Sequence, residues 1–219
     1  MGSGEAAAAL GGRLTVLYED DRLVAVDKPP GLLSVPAPGK EGRSLEEIMG
    51  VLTREMGIPY RLLPCHRLDR ETSGVILFGK GRAPRDAMAD LFRRREVRKT
   101  YLAFVQGRPA RDEGVFTRAL EGRPARTEYR VRERRGLYSI VEARPVTGRT
   151  NQIRLHFKAA GHPLVGETRF AFRKDFSLSA GRLMLHAAEI GFRDPWTGED
   201  RLIVSGLPRD MERFLVNNP

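Results

Sequence analysis

One cysteine, Cys65, is all the thiol that the 219 residues contain. That excludes an internal disulfide framework and fits a reducing compartment. No apolar run approaches the ~20 residues that a membrane-spanning helix needs. The N-terminus also lacks the charged stretch leading into an apolar one that marks a secretory leader. These absences lead us to expect a cytoplasmic protein with no membrane partner.

Histidine is sparse as well. His66, His156, His162 and His186 are far apart and have no HxxxH or CxxC partner, so no metal site is expected. There is no GxSxG elbow and no dinucleotide-binding fingerprint. Gly74 to Lys80 does spell GxxxxGK. A phosphate loop, however, needs a small or polar interior and then Ser or Thr after the lysine. Here the interior is Val-Ile-Leu-Phe and Gly81 follows, which is the composition of a strand. No nucleotide cofactor is expected.

Acid is in short supply. Against 38 Lys+Arg stand 28 Asp+Glu, giving a formal charge of +10 and a pI near 10.3. A balance of this kind points to a polyanionic partner, more often nucleic acid than a membrane surface. An arginine-rich solubilising surface would give the same sum.

The length and the 41% hydrophobic content suit a globular protein with a substantial core. Residues 1–13 read as a flexible lead, and 14–219 as a single domain with no internal repeat or linker. Leu14 to Tyr18 and Arg22 to Lys28 read as strands about the turn Glu19-Asp20-Asp21, and Pro29-Pro30 forbids continuation. Ser44, with Glu47 three positions on, starts a helix whose apolar face is Leu45, Ile48, Met49 and Leu52. A second helix spans 84–95, opened by Pro84 and leaning on Met88, Leu91 and Phe92.

Val97 to Gln106 alternates as a strand, with Tyr101, Ala103 and Val105 on one face. Residues 107–126 read as loop, and 127–145 as a hairpin about Gly136. A helix over 151–160 has Ile153, Leu155, Phe157 and Ala160 as apolar members and ends at Gly161. A strand pair, 183–192 and 200–204, and a closing helix, 208–216, complete the chain. Strands arriving as hairpins, without regular βαβ alternation, predict an α+β fold with a mixed, mainly antiparallel sheet.

The stretch most crowded with chemistry is HRLDRETSGVILFGK, 66–80. It sets His66, Arg67, Asp69, Arg70 and Glu71 in six positions ahead of the apolar run Val75 to Phe78, bounded by glycines as a buried strand would be. Asp69 thus lies where a rigid strand meets a loop, a placement that suits catalysis. It equally suits an Asx-type turn with Thr72 or Ser73. On pattern alone both readings stand. Cys65, a lone cysteine beside a strand, reads as inert core.

HRLDRETSG resembles the motif of the RluA-type pseudouridine synthases, whose catalytic aspartate is the D of HRLD. EDDRLVAVDKPPGLLSVP (19–36), RKTYLAFVQG (98–107), GRTNQIRLHFKAAGHPLVGE (148–167) and LMLHAAEIGFRDPWTGE (183–199) resemble the same family in the same order. The likeness runs from about residue 15 to 215. It departs at Asn151, where the family more usually has His, and no S4-like RNA-binding domain is expected ahead of the catalytic part.

The resemblance implies isomerisation of uridine within RNA. The N1–C1′ bond breaks, the base turns and a C5–C1′ bond forms, with no cofactor. It assigns Asp69 as the catalytic carboxylate, Tyr101 as a ring stacked on the target base, and Arg154 as the cation that keeps Asp69 ionised against the effect of burial. Read without it, Tyr101 is a core tyrosine and Arg154 an arginine on the solvent side of a helix. Arg67 would fill the gap left by the extruded base, with His66, Arg70 and Thr72 also at the substrate. Attack at C6, attack at C1′ and assisted elimination all remain open for Asp69.

Arg93, Arg94, Arg95, Arg98, Lys99 and the arginines of 108–135 are candidates for the RNA backbone. The expected partner is ribosomal RNA, transfer RNA or both, and a monomer is the default. Two rival classes are an RNA-binding protein without turnover and a carboxylate hydrolase. The latter usually needs two carboxylates flanking the bond, and Glu71 is poorly placed as the second.

Overall fold

The computed structural model of the protein describes residues 14–39, 42–171 and 178–219. The expected lead, 1–13, lies outside them. In chain order the elements are β1 Thr15–Glu19, β2 Leu23–Lys28, α1 Leu45–Glu55, β3 Leu62–Pro64, β4 Ser73–Lys80, α2 Arg82–Arg94, β5 Arg98–Gln106, β6 Glu113–Phe116, β7 Thr127–Arg134, β8 Tyr138–Pro145, α3 Gln152–Ala159, β9 Leu185–Arg193, β10 Asp200–Val204 and α4 Arg209–Asn217. They group into two compact units, one of residues up to Val97 with Glu189–Ser205, the other of Arg98–Ala188 with Gly206–Pro219. The observed class is the expected α+β.

The first unit is built on β4. Its strand order is β1-β2-β4-β9, with β3 beside β4 and β10 beside β9. β2 runs antiparallel to β4 from Leu23↔Gly79 to Lys28↔Gly74. The β1–β2 turn closes because Asp20 Oδ1 accepts from the Arg22 and Leu23 amides, at 2.8 and 2.7 Å. Alternation sends Leu23, Ala25, Val75 and Leu77 into a core with Met88 and Leu91 of α2 and Ile190, Phe192 and Ile203 of the β9–β10 hairpin.

α1 starts as its sequence directs. The Ser44 side chain accepts from the Glu47 amide, and Glu47 Oε2 accepts from the Ser44 amide at 2.7 Å. α2 begins two residues before Pro84, at Arg82. Proline is therefore the third helical residue, still within the turn whose amides have no helical acceptor. Gly79 lets this helix cross the end of β4, since a Cβ there would lie 2.4 Å from the Arg85 amide nitrogen.

The second unit carries the order β5-β8-β7-β6, with β5/β8, β8/β7 and β7/β6 antiparallel. β5 divides its side chains as predicted. Ala103 and Val105 join a core with Val141, Ala143, Ile153 and Phe157, and Tyr101 packs against its edge. Phe104 points into another core with Tyr138 and with Met211 and Phe214 of α4.

Two stretches differ from expectation. Leu62–Pro64, where no element is expected, forms β3, a three-residue strand antiparallel to β4. Within 107–126, read as loop, Glu113–Phe116 forms β6, a four-residue edge strand. Phe116 stacks on Tyr129 at 4.8 Å between centroids, and Gly114 lies so close to that ring that a Cβ would come within 2.7 Å. A strand this short, with a glycine inside and one half-buried aromatic, carries no alternation to read.

Candidate active site

The charged loop is held from both sides by residues 28–34. Lys28 ends β2 on the face that Val24 and Val26 share, and like them it has no exposure. A buried ammonium requires acceptors. Its Nζ donates to the carbonyls of Pro29 (2.9 Å), Leu32 (2.7 Å) and, across the chain, Arg70 (3.1 Å). The Arg70 carbonyl also accepts from the Gly31 amide at 2.9 Å, and Arg70 Nε returns a bond to the Gly31 carbonyl at 2.9 Å. On the other flank the Ser34 hydroxyl bonds both backbone groups of Leu68, donating at 2.8 Å and accepting at 3.0 Å.

Between these anchors stands Asp69, half-buried. Its backbone carbonyl accepts from the Thr72 amide at 3.1 Å, closing a turn that delivers the chain into β4. Thr72 is itself buried, at 2% exposure, whereas Arg67 and Arg70 are exposed. His66 has a bond within the scaffold. Its Nε2 accepts from the Leu77 amide at 3.0 Å, its ring lies 4.7 Å from that of Phe92, and the neighbouring Cys65 amide donates to the Leu77 carbonyl at 2.9 Å. His66 and Cys65 thereby continue the β3–β4 pairing beyond Pro64. Burial pushes the Cys65 thiol up to about 12, which suits the inert reading of this residue.

In the second unit Tyr101 is half-buried on β5, opposite Ala143 of β8. Arg154 departs from the solvent-facing reading, with 6% exposure. Nε and Nη2 grip both oxygens of Glu167 at 2.7 Å each, and Nη1 donates to Asn151 Oδ1 at 2.8 Å. The guanidinium also lies 4.7 Å from the Phe170 ring centroid. Burial works against charge on Glu167, but Arg154 and the amides of Arg169 and Phe170 outweigh it and hold the carboxyl below its ordinary range. Gly166 makes this possible. At φ +77° it brings Glu167 round where a Cβ would meet the Arg182 carbonyl at 1.9 Å.

The buried face of α3 is Gln152, Ile153, Arg154, His156 and Phe157, while the expected apolar members Leu155 and Ala160 are half-buried and exposed. A polar network replaces them. Gln152 accepts from the Thr147 hydroxyl (2.7 Å) and the Arg149 amide (3.0 Å), and donates to the Arg126 carbonyl and Thr127 Oγ1 (2.9 Å each). Lys28, Ser34 and Glu167 were not singled out from sequence. Lys28 alone left a trace, since strand alternation puts it on the buried face.

The basic candidates separate into two groups. Arg93 and Arg94 each bond Asp90 at 3.0 Å, Arg126 bonds Glu128, Arg132 bonds Glu142, Arg134 bonds Asp112 and Arg135 bonds Glu133. Lys99 is half-buried, and burial lowers its pKa. Arg95, Arg98, Arg111, Arg118, Arg123 and Arg130 carry no ion pair among the described residues. No group of three or more His, Cys, Asp or Glu among the described residues is arranged to hold a metal.

Residues 22–159 match the family model described as RNA pseudouridylate synthase. The chain is 36% identical over 197 residues to the dual-specificity RNA pseudouridine synthase RluA of Vibrio cholerae, covering 83% of this chain and 78% of that one. It is 33% identical over 223 residues to the ribosomal large subunit pseudouridine synthase C of Escherichia coli K12, covering 91% and 68%. In fold it resembles human RNA pseudouridylate synthase domain containing 4, with a TM-score of 0.81 and 24% identity over 97% of this chain and 95% of that one. The family match over more than half of the chain, together with two relatives above 30% identity, shows that this protein belongs to the RluA-type RNA pseudouridine synthases, isomerases that convert uridine to pseudouridine in RNA.

Proposed function

We propose that the protein isomerises uridines of structured ribosomal RNA, transfer RNA or both, with Asp69 as the catalytic carboxylate. The observation that carries this reading is the anchoring of the loop around Asp69: the backbone is bonded at both Leu68 and Arg70, while Asp69 itself is half-buried. A catalytic group held in this way reaches the transition state without first being ordered. The relatives' names, one a ribosomal large subunit enzyme and the other a dual-specificity RNA enzyme, support ribosomal RNA and more than one RNA substrate respectively.

In this reading Tyr101 offers its ring to the target base. Arg154 supplies positive charge; among the described residues Glu167 and Asn151 take three of its five N–H donors. Arg67, exposed two residues before Asp69, fills the space the base vacates. Arg70, His66 and Thr72 shape the loop that meets the RNA. The exchange of one glycosidic bond for another needs no redox partner or group donor. The enzyme then works as a cytoplasmic monomer without a cofactor.

Tritium release from [5-³H]uridine-labelled ribosomal and transfer RNA lacking their modifications tests the reading, with wild type and Asp69→Ala side by side. Release by the wild type alone is expected. Equal release by the variant would remove Asp69 from the chemistry. Release of free uracil would point to hydrolysis instead.

A further inference from the structure

We propose that Ser34 is a positioning residue for Asp69, acting through the backbone of Leu68; this rests on the reading of Asp69 as the catalytic carboxylate. Ser34 is 3% exposed, and its hydroxyl spends its proton on the Leu68 carbonyl and a lone pair on the Leu68 amide. A residue placed and bonded in this way does not reach substrate. What it does instead is give an irregular segment the pair of bonds that a neighbouring strand would supply. Leu68 is buried, at 5% exposure, so without the hydroxyl its amide and carbonyl would face no replacement from water.

Ser34 is in turn fixed to α1. Its own carbonyl accepts from the Glu46 amide at 3.2 Å, and the Leu33 carbonyl accepts from the Leu45 amide at 2.7 Å. The first turn of α1 is locked by the Ser44–Glu47 capping box. An unbroken path of bonds therefore runs from a capped helix through one hydroxyl to the residue before Asp69. The residue after it, Arg70, is held separately by Gly31 and Lys28. Loss of the Ser34 hydroxyl frees the N-terminal flank of Asp69 and leaves the C-terminal flank bonded. A carboxylate loosened by a fraction of an ångström still permits RNA to bind, but it misses the reacting atom.

The test compares wild type, Ser34→Ala, Ser34→Thr and Asp69→Asn on unmodified RNA. Single-turnover rate, RNA Kd and thermal midpoint are measured for each. Ser34→Ala is expected to slow turnover about 10- to 100-fold with Kd unchanged, and Ser34→Thr, which keeps the hydroxyl, to regain most of the rate. Ser34→Cys fills the same space with a weaker hydrogen bonder and serves if Ala does not fold; it is expected to slow turnover at unchanged Kd. A wild-type rate in folded Ser34→Ala or Ser34→Cys overturns the proposal, as does a rate loss matched by loss of RNA affinity. If Asp69→Asn retains turnover, the underlying reading fails; if it is inactive while Ser34→Ala turns over normally, only the positioning role fails.

Discussion

At the scale of the residue, the Arg154–Glu167 pair shows how a buried cation is stabilised. Both partners are almost without exposure, at 7% and 1% for their side chains. Burying the two charges is costly, and their attraction offsets that cost only with good geometry and further hydrogen bonds. The bidentate grip, the two backbone amides on Glu167 and the Asn151 oxygen supply both. Asn151 sits in the left-handed region at φ 54°, which asparagine enters more readily than most residues, so the departure from the family's usual histidine still leaves Arg154 an acceptor. Replacing Glu167 with Gln leaves an uncompensated buried guanidinium, and a loss of about 3–5 kcal/mol in urea-unfolding stability is expected. The pH dependence has a definite sign. A carboxyl held low in the folded state contributes fully above its ordinary value of 4.5 and loses that contribution as the pH falls through the folded value. Wild type should therefore weaken on acidification below about 4.5, and Glu167→Gln should show less of that dependence in urea midpoints taken across the range.

At the scale of the element, caps and close approaches set the boundaries of the helices near the candidate site. Ser44→Ala removes the hydroxyl from the capping box and should cost about 1 kcal/mol in equilibrium unfolding. Gly79→Ala should cost more. Its new methyl would overlap the backbone of Arg85, an atom that moves only with the whole first turn of α2. The caps were legible from the Ser44–Glu47 spacing, while the requirement at Gly79 was not, because the helix that crosses it is visible only in three dimensions. β6 escaped for a related reason. Its stability comes from Phe116 on Tyr129 and from pairing with β7, neither of which a short sequence window contains.

At the scale of the whole molecule, the 38 Lys+Arg overstate what is open to a polyanion. Arg126, Arg132, Arg134 and Arg135 already meet acids, so Arg118, Arg123 and Arg130, which carry no ion pair among the described residues, are the ones we expect to meet phosphate. RNA affinity should fall steeply with salt, and Arg118→Ala with Arg123→Ala should lower the slope of log K against log salt by ~0.7 for each phosphate no longer neutralised. Arg132→Ala should change it little. Filter binding between low and physiological salt measures all three, and a flat wild-type profile would remove the basic RNA surface altogether.

The sequence by itself determined the strands that alternate, the helix starts that carry caps, the breaks at proline, and the ordered motifs that give the family and single out Asp69. Those properties reside in residues a few positions apart, where periodicity and spacing act directly. The tertiary structure alone decided what holds the site. Lys28 finds Arg70 across 42 positions, Ser34 finds Leu68 across 34, and Arg154 finds Glu167 across 13. No local pattern records such pairings, because each exists only once the chain has folded and brought a buried donor to the acceptor it would otherwise lack.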